Sequence, residues 1–463
     1  MAKITVLGTG YLGATHAACM AEIGHEVLGV DGNPEKVLSL AAGKVPFYEP
    51  GLAALIARHV ASGRLSFTQS LPEAAEFGDA HFLCVGTPSR EGSDEADLRY
   101  LHSVIDGIAP HLRRPTLVVG KSTVPVGTAA QLAGRLHEIA PASVEVELVW
   151  NPEFLREGHA VEDTLNPDRI VVGAQSEAAE LSLRSVYAPL IEKGIPFLTT
   201  DFSTAELVKV AANAFLSTKI SFINAMAEVC EATGADVWQL AAALSYDSRI
   251  GARFLSPGLG FGGGCLPKDL RAFVSRGKEL GVDRALEFLR SVDEINTRSR
   301  LRMVSLARQQ CGGSFSGKRV TVWGAAFKPD SDDVRDSPAL FVAESIQSEG
   351  GKVVVYDPKA NDNARKEHPN LQYAQDAIEA AENAHVLLHA TEWKEFREID
   401  PNVVGEIVDV RRVIDGRGTL DPESWRAAGW EYFAPGKPTS TGIRPCAVGV
   451  TNQEGHTEPP KGM

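Results

Sequence analysis

The segment 261–269 (FGGGCLPKD) places the thiol of Cys265 directly after three glycines and close to a lysine and a carboxylate. Glycines let a ligand approach the backbone closely, so a glycine run before a cysteine is typical of an active-site wall. Most cysteines in a chain of this kind are small buried hydrophobic residues, but the glycines, Lys268 and Asp269 favour a nucleophile. The neighbouring lysine would also lower the pKa of the thiol. The segment therefore predicts that Cys265 is a nucleophile.

A second candidate site is the glycine pattern at residues 8–13 (GTGYLG), which follows a short apolar strand and opens a helix. In such a turn Gly8 permits the tight bend, Gly10 lets the backbone approach a pyrophosphate, and Gly13 allows close packing of helix against strand. The next strand ends in Asp31, whose carboxylate can accept both hydroxyls of a ribose and would repel a 2′-phosphate. This order of elements predicts an NAD site rather than a structural turn or an NADP site.

Two further loops follow predicted strands, residues 85–89 (VGTPS) and 121–127 (KSTVPVG), and contain Thr87 and Thr123. Ligands of open α/β sheets bind at the carboxyl ends of the strands, which favours a cofactor contact. The same residue types also form ordinary turns, so the loops alone leave both interpretations open.

Carboxylates and amides supply candidates for proton transfer and charge stabilisation. Glu153 and Glu157 lie four residues apart in the segment 151–158 (NPEFLREG), and a helical turn would place both on one face. Such a pair can do acid/base chemistry, although a solvated surface is the more common role for this spacing. On a long predicted helix, Lys209 and Asn213 share a stripe with Glu206, and the pair would suit oxyanion stabilisation. A wet polar face remains the alternative for this stripe.

Basic side chains and loop amides could hold a phosphate or a sugar. Arg249 precedes a loop that continues through residues 256–260 (SPGLG) into the thiol segment. Lys328, Arg335 and Arg417 fall at the expected strand ends of the last domain, where they could bind a diphosphate. A surface role is the usual alternative for any single arginine.

The predicted elements that position these residues form two α/β units around a helical middle. The first unit has strands at 3–8, 26–30, 80–85 and 117–120. The middle has helices at 203–233, 237–244 and 270–308. The second unit has strands at 318–324, 352–356, 385–389 and 406–409 and a degenerate glycine turn at 324–327 (GAAF), which suits another nucleotide-like ligand.

Composition narrows the class of protein. The 463 residues suffice for about three domains, and 46 Lys plus Arg against 60 Asp plus Glu give a formal charge of -14, which argues against nucleic acid or anionic membranes as partners. The six cysteines form no short-spaced pair and the histidines show no ligand spacing, so neither a disulfide framework nor a metal is expected. No signal sequence or membrane-length apolar run is evident, which predicts a cytoplasmic protein.

Taken in order, the segments 8–13, 151–158, 206–224 and 261–269 resemble the UDP-glucose/GDP-mannose dehydrogenase family over roughly residues 1 to 430. The resemblance implies an α/β fold with two Rossmann-like parallel-sheet domains joined by a long central helix and a helical dimerisation region. The implied divisions are an NAD-binding domain at 1–200, a central helical domain with the thiol loop at 201–310, a UDP-sugar-binding domain at 311–434 and a flexible tail at 435–463.

The resemblance also implies site residues. The implied catalytic residues are Cys265 as nucleophile, Lys209 and Asn213 as oxyanion donors, Asp269 and Glu153 as proton-transfer groups, and Thr123. Together with the glycine turn, the implied cofactor contacts are Gly8, Gly10, Tyr11, Leu12, Gly13, Asp31, Lys36, Thr87, Thr123, Glu157, Lys268 and Arg335. The implied substrate contacts are Glu153, Phe154, Leu155, Arg156, Lys209, Asn213, Arg249, Phe254, Leu255, Ser256, Gly258, Gly260, Phe261, Gly262, Phe327, Lys328 and Arg417. In this resemblance Arg249 reaches the active site of a neighbouring subunit, which implies a homodimer.

The implied reaction is an NAD-dependent four-electron oxidation of UDP-glucose to UDP-glucuronate, with a thiohemiacetal and then a thioester on Cys265. Alternatives within the family are GDP-mannose or a UDP-N-acetylhexosamine as substrate. Gly418 departs from many relatives, which carry a larger polar residue after Asp-Gly-Arg. Two alternatives lie outside the family. A two-electron hydroxyacid dehydrogenase would need neither the thiol nor a second sheet. In an NAD-binding regulatory protein, the clusters of polar side chains described above would have no function.

Overall fold

Short apolar strands alternate with helices over the first 200 residues and build one eight-stranded sheet. The strands are β1 (Lys3–Leu7), β2 (Glu26–Val30), β3 (Leu65–Thr68), β4 (Ala80–Leu83), β5 (Thr116–Gly120), β6 (Val146–Trp150), β7 (Ile170–Ala174) and β8 (Phe197–Thr200). Their spatial order is β3-β2-β1-β4-β5-β6-β7-β8, and every neighbouring pair is parallel except β6 with β7. β4 and β5 are buried throughout, as expected for strands covered by helices on both faces.

The helices of this half cover both faces of the sheet. They are α1 (Tyr11–Glu22), α2 (Pro34–Ala41), α3 (Leu52–Ala61), α4 (Leu71–Phe77), α5 (Arg99–Ile108), α6 (Thr128–Ile139), α7 (Ala160–Leu165), α8 (Glu177–Val186) and α9 (Ala188–Ile191), with a 3-10 turn at Ala109–His111. Two separate apolar clusters result, one containing Phe82 and the other containing Trp150. The helices thereby fix the edge of the sheet at which the candidate site lies.

The middle of the chain is helical and contains α10 (Phe202–Thr233), α11 (Val237–Ser245), α12 (Leu266–Glu279) and α13 (Asp283–Gln310). Asp201 begins α10 by accepting the backbone N–H of Thr204 at 2.8 Å. The continuous helix predicted over 270–308 is wrong, because residues 280–282 separate α12 from α13. Gly281 in this break has a φ of +73°, in the left-handed region that ends helices.

A second sheet contains β9 (Arg319–Trp323), β10 (Lys352–Tyr356), β11 (Gln372–Tyr373), β12 (Val386–His389), β13 (Arg412–Asp415) and β14 (Glu431–Phe433). Its helices are α14 (Pro338–Ser348), α15 (Asn361–Glu367), α16 (Ala377–Ala381), α17 (Lys394–Glu398), α18 (Pro401–Gly405) and α19 (Pro422–Ala427). The order β11-β10-β9-β12-β13-β14 is parallel throughout. The strand predicted at 406–409 is wrong. That segment follows α18, and the next apolar run, with Val413 and Ile414 fully buried, forms the strand instead.

Both sheets reverse their strand order beside the first strand, between β1 and β4 and between β9 and β12. Such reversals are where open α/β sheets bind nucleotides. The predicted fold class, two Rossmann-like sheets with a long helix between them, is therefore confirmed. This computed structural model describes residues 1–437, so the predicted tail lies outside the described residues from 438 onwards.

Candidate active site

The thiol segment is a loop that enters α12, with Cys265 as the residue just before the helix. Asn296 fixes the start of the loop, because its amide accepts the backbone N–H of Phe261 at 2.8 Å and donates to the carbonyl of Phe261 at 3.0 Å. Arg300 donates to the same carbonyl at 2.7 Å. Both side chains are buried and lie one turn apart on α13. The central helices therefore hold the backbone that presents the thiol.

The glycines of this loop are required by close packing against the C-terminal half. Gly263 has a φ of +84°, and a β-carbon there would lie 2.8 Å from the ring of Phe327. At Gly264 a β-carbon would overlap the guanidinium of Arg335, and at Gly262 it would overlap the backbone carbonyl of Asp336. The glycine run thus lets segments of two halves of the protein meet around Cys265.

Cys265 is accessible to water but lies in a cleft among charged groups. Burial by surrounding protein atoms, followed by the carboxylates of Glu153 and Asp269, raises the pKa of the thiol to about 12, while Lys209 opposes them. The prediction that Lys268 lowers this pKa is wrong. The ammonium of Lys268 instead lies 2.6 Å from Oδ1 of Asp269. The cation that favours the thiolate is therefore Lys209, from α10.

Lys209 and Asn213 connect the long helix to two carboxylates. The Lys209 ammonium lies 2.8 Å from Oε1 of Glu153, and the Asn213 amide donates to Oδ2 of Asp269 at 2.7 Å. Burial would lower the pKa of Lys209, but the charges of Glu153, Cys265 and Asp269 outweigh it and raise this pKa. Both helix residues are buried, which excludes the alternative of a wet polar face. The charge of Lys209 thus acts on the thiol, while the Asn213 amide holds Asp269 of the thiol segment.

Glu206 of the same stripe has a different position. Its carboxylate accepts the backbone N–H groups of Gly127 at 2.7 Å and Ala129 at 2.6 Å. It thereby holds the start of α6 and the loop that carries Thr123. Glu206 supports the site without facing the thiol.

Glu153 and Glu157 do not share a helical face, so that prediction is wrong. Residues 151–156 have no regular structure, because Pro152 has no backbone N–H and restricts Asn151 to extended conformations. Glu153 turns to Lys209 and also accepts the N–H of Leu155 at 2.7 Å. Glu157 turns to the C-terminal half, where it accepts the Ser331 hydroxyl at 3.0 Å.

Glu157 is a buried carboxyl that titrates near neutrality. Burial and the charge of Asp333 raise its pKa from 4.5 to about 7, against the opposing charge of Arg335, whose guanidinium lies 3.4 Å away. The folded protein therefore keeps a proton here that the unfolded chain releases near pH 4.5. Between these values the folded state binds more protons, so the free energy of unfolding falls as pH rises.

Replacing Glu157 with glutamine is expected to remove this part of the pH dependence. The wild-type protein should lose about 1 to 3 kcal/mol more stability than Glu157→Gln between pH 4.5 and pH 7, because one pKa unit is worth about 1.4 kcal/mol. Urea unfolding at several pH values across this window measures the difference. The exposed Glu162→Gln is the matched control, and an identical pH slope for Glu157→Gln and the wild-type protein would contradict the assignment.

The glycine turn after β1 fits a dinucleotide. Gly8 has a φ of +92°, a β-carbon at Gly13 would overlap the carbonyl of Gly8, and a β-carbon at Gly10 would meet nothing within 4 Å. Open space at Gly10 leaves the backbone free for a pyrophosphate at the start of α1. Leu12 packs on the apolar cluster below the turn, while the Tyr11 hydroxyl donates to Glu49. The residues present therefore suit NAD.

Asp31 ends β2 beside this turn. Its carboxylate accepts the N–H of Thr9 at 2.9 Å and the N–H of Asn33 at 3.0 Å, and Lys36 lies 2.9 Å away. Burial would raise the pKa of Asp31, but Lys36 and these N–H groups lower it, so the carboxylate remains an acceptor for a ribose. Two loops at the same sheet edge meet where the Thr87 hydroxyl donates to the carbonyl of Thr123 at 2.7 Å.

The substrate residues expected from the sequence come from three parts of the chain. From the first half, the Phe154 ring lies below Lys209, with the ammonium 5.7 Å from its centroid, and Arg156 pairs with Asp163 at 2.6 Å. Leu155, which lies between Phe154 and Arg156 along the chain, is partly buried. This side of the cleft offers an apolar ring next to the charged cluster.

From the middle, Asn224 of α10 accepts the N–H of Gly258 at 2.8 Å. Leu255 is buried, Ser256 is exposed, and Phe254 has a φ of +62°, which is unusual for a residue with a side chain. At Gly260, with a φ of +95°, a β-carbon would overlap Asn296. The loop before the thiol is thus held by polar side chains of two helices.

From the C-terminal half, Arg417 joins the loops. It donates to the carbonyl of Ala390 at 2.7 Å and to that of Phe327 at 3.2 Å, and it lies 3.3 Å from Glu392. Burial lowers the pKa of Lys328, although the charges of Glu157 and Cys265 oppose this. Lys328 is therefore close enough to Glu157 and Cys265 for their charges to act on it.

The space around Gly418 explains why this position carries no side chain. Gly418 has a φ of +63°, and a β-carbon there would overlap the ring of Trp238 from α11. The indole thus occupies the space that a larger residue at this position would need.

Arg249 is not brought to the cleft of its own chain. Its side chain is 87% exposed and pairs with Asp247 at 2.6 Å.

Sequence reasoning missed Asn296, Arg300 and Glu49. In the sequence each looks like an ordinary polar residue, and their partners lie 35, 39 and 109 residues away along the chain. Among the described residues 1–437, no cluster of three or more His, Cys, Asp or Glu residues could hold a metal ion. In the same part of the chain no helix is long and apolar enough to cross a membrane.

Comparison with known proteins identifies the family. Three models of the UDP-glucose/GDP-mannose dehydrogenase family match, the NAD binding domain at residues 2–191, the central domain at 203–298 and the UDP binding domain at 321–422. The UDP-glucose 6-dehydrogenase of Rhizobium meliloti is 41% identical, with 94% of this chain and 100% of the relative covered. UDP-glucose 6-dehydrogenase TuaD of Bacillus subtilis is 39% identical, with 96% and 95% covered.

Solved structures with a similar fold are also named as dehydrogenases of nucleotide sugars. The UDP-glucose dehydrogenase of Pyrobaculum islandicum has a TM-score of 0.86 at 38% identity, covering 94% of this chain and 98% of that one. A UDP-D-ManNAc dehydrogenase of Pyrococcus horikoshii has a TM-score of 0.82 at 26% identity, covering 94% and 99%. With all three family models in order along one chain, this protein belongs to the UDP-glucose/GDP-mannose dehydrogenase family and is an NAD-dependent oxidoreductase.

Proposed function

We propose that this enzyme oxidises C6 of UDP-glucose to the carboxylate of UDP-glucuronate. The observation that supports it most is that Lys209 acts on Cys265 and Asn213 holds Asp269 of the thiol segment, between the segments that match the NAD binding and UDP binding domains of the family. Relatives named for UDP-glucose are 36–41% identical over most of the chain, whereas solved structures named for N-acetylated sugars or GDP-mannose are 23–26% identical. UDP-glucose is therefore favoured over the other sugars of the family.

The residues divide the chemistry between them. NAD, which the glycine turn and Asp31 would hold, would supply the hydride acceptor for both oxidations, and the hydroxyl on C6 would release its proton to water in each of them. Cys265 adds through sulfur to the aldehyde formed first. As the carbon–sulfur bond forms, the second bond of the carbonyl breaks and the thiol proton passes to the former aldehyde oxygen, which gives a neutral thiohemiacetal. Lys209 and Asn213 donate to the oxygen that gains negative charge. Burial disfavours a free thiolate, and because two carboxylates and two ammonium groups already balance here its charge would also be in excess, which matches the raised pKa of the thiol.

Hydrolysis of the thioester then releases the uronate. We assign to Glu153 the removal of a proton from the attacking water, since its carboxylate lies in the same cleft and is held by Lys209 and the N–H of Leu155. Asp269, held by Asn213 and Lys268, takes part in proton transfer with water. Water oxygen forms the new bond to carbon, and the bond to sulfur breaks to regenerate the thiol.

The number of NADH molecules per sugar tests this proposal. With UDP-glucose limiting, absorbance at 340 nm should show two NADH per sugar consumed, and UDP-glucuronate should be the product. GDP-mannose and UDP-N-acetylhexosamines measured in parallel should have lower kcat/KM. One NADH per sugar would overturn the four-electron reaction, and faster turnover of another sugar would overturn the choice of substrate.

We also propose that the domains divide at residues 200, 310 and 434.

We further propose a homodimer formed by the central helices. Large apolar side chains are exposed on α10 and α13, including Phe215 at 66% and Phe288 at 54%. An exposed apolar surface of this kind marks an interface. A partner there would give a role to Arg249, which is exposed and pairs only with Asp247 among the described residues. The cytoplasmic location stays a prediction.

Mixing two inactive variants tests the role of Arg249. Arg249→Ala and Cys265→Ser should each lose activity alone. If Arg249 acts on the neighbouring subunit, random reassociation should restore about a quarter of wild-type activity, because half of the dimers then hold one complete site. Light scattering confirms the oligomeric state. No recovery on mixing would place Arg249 outside the neighbouring site.

A further inference from the structure

The segment 46–51 (PFYEPG), between α2 and α3, contacts both halves of the protein through consecutive side chains. The Phe47 ring lies 5.0 Å from the ring of Tyr11 and packs against the apolar cluster below the glycine turn. The Tyr48 ring packs instead against the core of the C-terminal half, where the ammonium of Lys359 lies 4.9 Å from its centroid. This junction segment therefore touches the cofactor half and the sugar-nucleotide half at once.

Glu49, the next residue, is buried at 5% exposure, and both of its oxygens are used. Oε2 accepts the hydroxyl of Tyr11 from the glycine turn and the N–H of Gly158 at 2.7 Å, while Oε1 accepts the N–H of Ala160 at 2.7 Å. No residue that we placed in the chemical steps needs this carboxylate. Its hydrogen bonds join the cofactor turn to the turn that begins at Glu157.

The turn at Gly158 is itself in contact with the C-terminal half. Gly158 has a φ of +78°, and a β-carbon there would lie 2.8 Å from the carbonyl of Asp330. The preceding Glu157 meets Ser331 and Arg335. A displacement of the Tyr11 turn would thus be transmitted through Glu49 to backbone that packs on the other half.

We infer that Glu49 is a positioning residue that couples occupancy of the dinucleotide turn to occupancy of the sugar-nucleotide half. The inference rests on the proposed function for the identity of the two ligands. Coupling between two sites needs an element whose contacts both ligands affect, and its strength is reciprocal. Glu49 meets this requirement because one carboxylate bonds the turn of one site and the backbone that abuts the other.

Titration of NAD with and without saturating UDP measures the coupling. In the wild-type enzyme UDP should tighten NAD binding about fivefold or more. Glu49→Gln keeps the size of the side chain but removes one acceptor, so at least one of its three donors loses its partner. The ratio of the two NAD dissociation constants should then fall to about twofold or less. Glu22→Gln, a partly exposed carboxylate that pairs with Arg58 in the same half, is the matched control and should keep the wild-type ratio.

Tyr11→Phe removes one of the same hydrogen bonds from the other side and serves if Glu49→Gln does not fold. It should lower the ratio in the same direction. A purely structural Glu49 would weaken NAD binding equally with and without UDP, and an unchanged ratio therefore overturns the inference. A wild-type ratio of one overturns it as well. Two NADH per UDP-glucose from the wild-type enzyme and Glu22→Gln would uphold the proposed function whichever way the ratio falls.

Discussion

Replacement of Cys265 with serine is expected to abolish UDP-glucuronate formation while NAD binding survives. A serine hydroxyl is a far weaker nucleophile than a thiol, and an oxygen ester would replace the thioester. The rate of the complete reaction should fall at least about 10³-fold, the scale seen when other enzymes lose a nucleophile. Any residual NADH should not exceed one per sugar. Rapid-quench analysis of sugar products, together with NAD titration, measures both effects.

The controls for this variant follow from its position. Cys265 is exposed to the cleft and precedes α12, so serine should change the free energy of unfolding by less than about 0.5 kcal/mol. Cys311→Ala replaces a buried thiol at the end of α13 and should retain turnover. Two NADH per sugar from Cys265→Ser at a comparable rate would exclude the covalent route.

Local patterns in the sequence were sufficient to predict the sheets, the long helix and the candidate thiol. The glycine turn before Asp31 is readable because only glycine tolerates the φ of Gly8 and the packing at Gly13. The stripe of Lys209 and Asn213 follows from helical spacing alone. The same rule failed for Glu153 and Glu157, since Pro152 keeps their segment out of a helix. Spacing predicts a shared face only where the backbone is regular.

The sequence did not predict which side chains would form hydrogen bonds with buried backbone groups far away along the chain. Asn296 and Arg300 look like the polar face of a surface helix, yet they pair with the Phe261 backbone and are buried. The prediction that Lys268 would favour the thiolate of Cys265 was wrong for a related reason. Lys268 is its neighbour in sequence but bonds Asp269, and the cation that stabilises a thiolate comes from Lys209, 56 residues earlier. Only the tertiary fold determines which charge faces which group.

Replacement of Lys209 with methionine is expected to lower kcat about 10²- to 10³-fold, the usual loss when one oxyanion donor is removed. Methionine keeps much of the length of the side chain but can neither donate a hydrogen bond nor carry charge. The substitution also leaves Glu153 without its ion pair, which for a buried carboxylate costs about 3 to 5 kcal/mol of folding stability. A loss of rate alone would therefore not separate catalysis from folding.

The double variant Lys209→Met with Glu153→Gln separates the two effects. Removing the uncompensated carboxylate should restore most of the free energy of unfolding, while kcat should stay about 10²- to 10³-fold below that of Glu153→Gln alone, because the donor is still missing. Lys278→Met, at an exposed position on α12, is the matched control and should change neither quantity. If the double variant turned over as fast as Glu153→Gln alone, Lys209 would act only by holding Glu153. If it regained stability but remained slower than Glu153→Gln alone, the ammonium would be acting on the reacting oxygen itself.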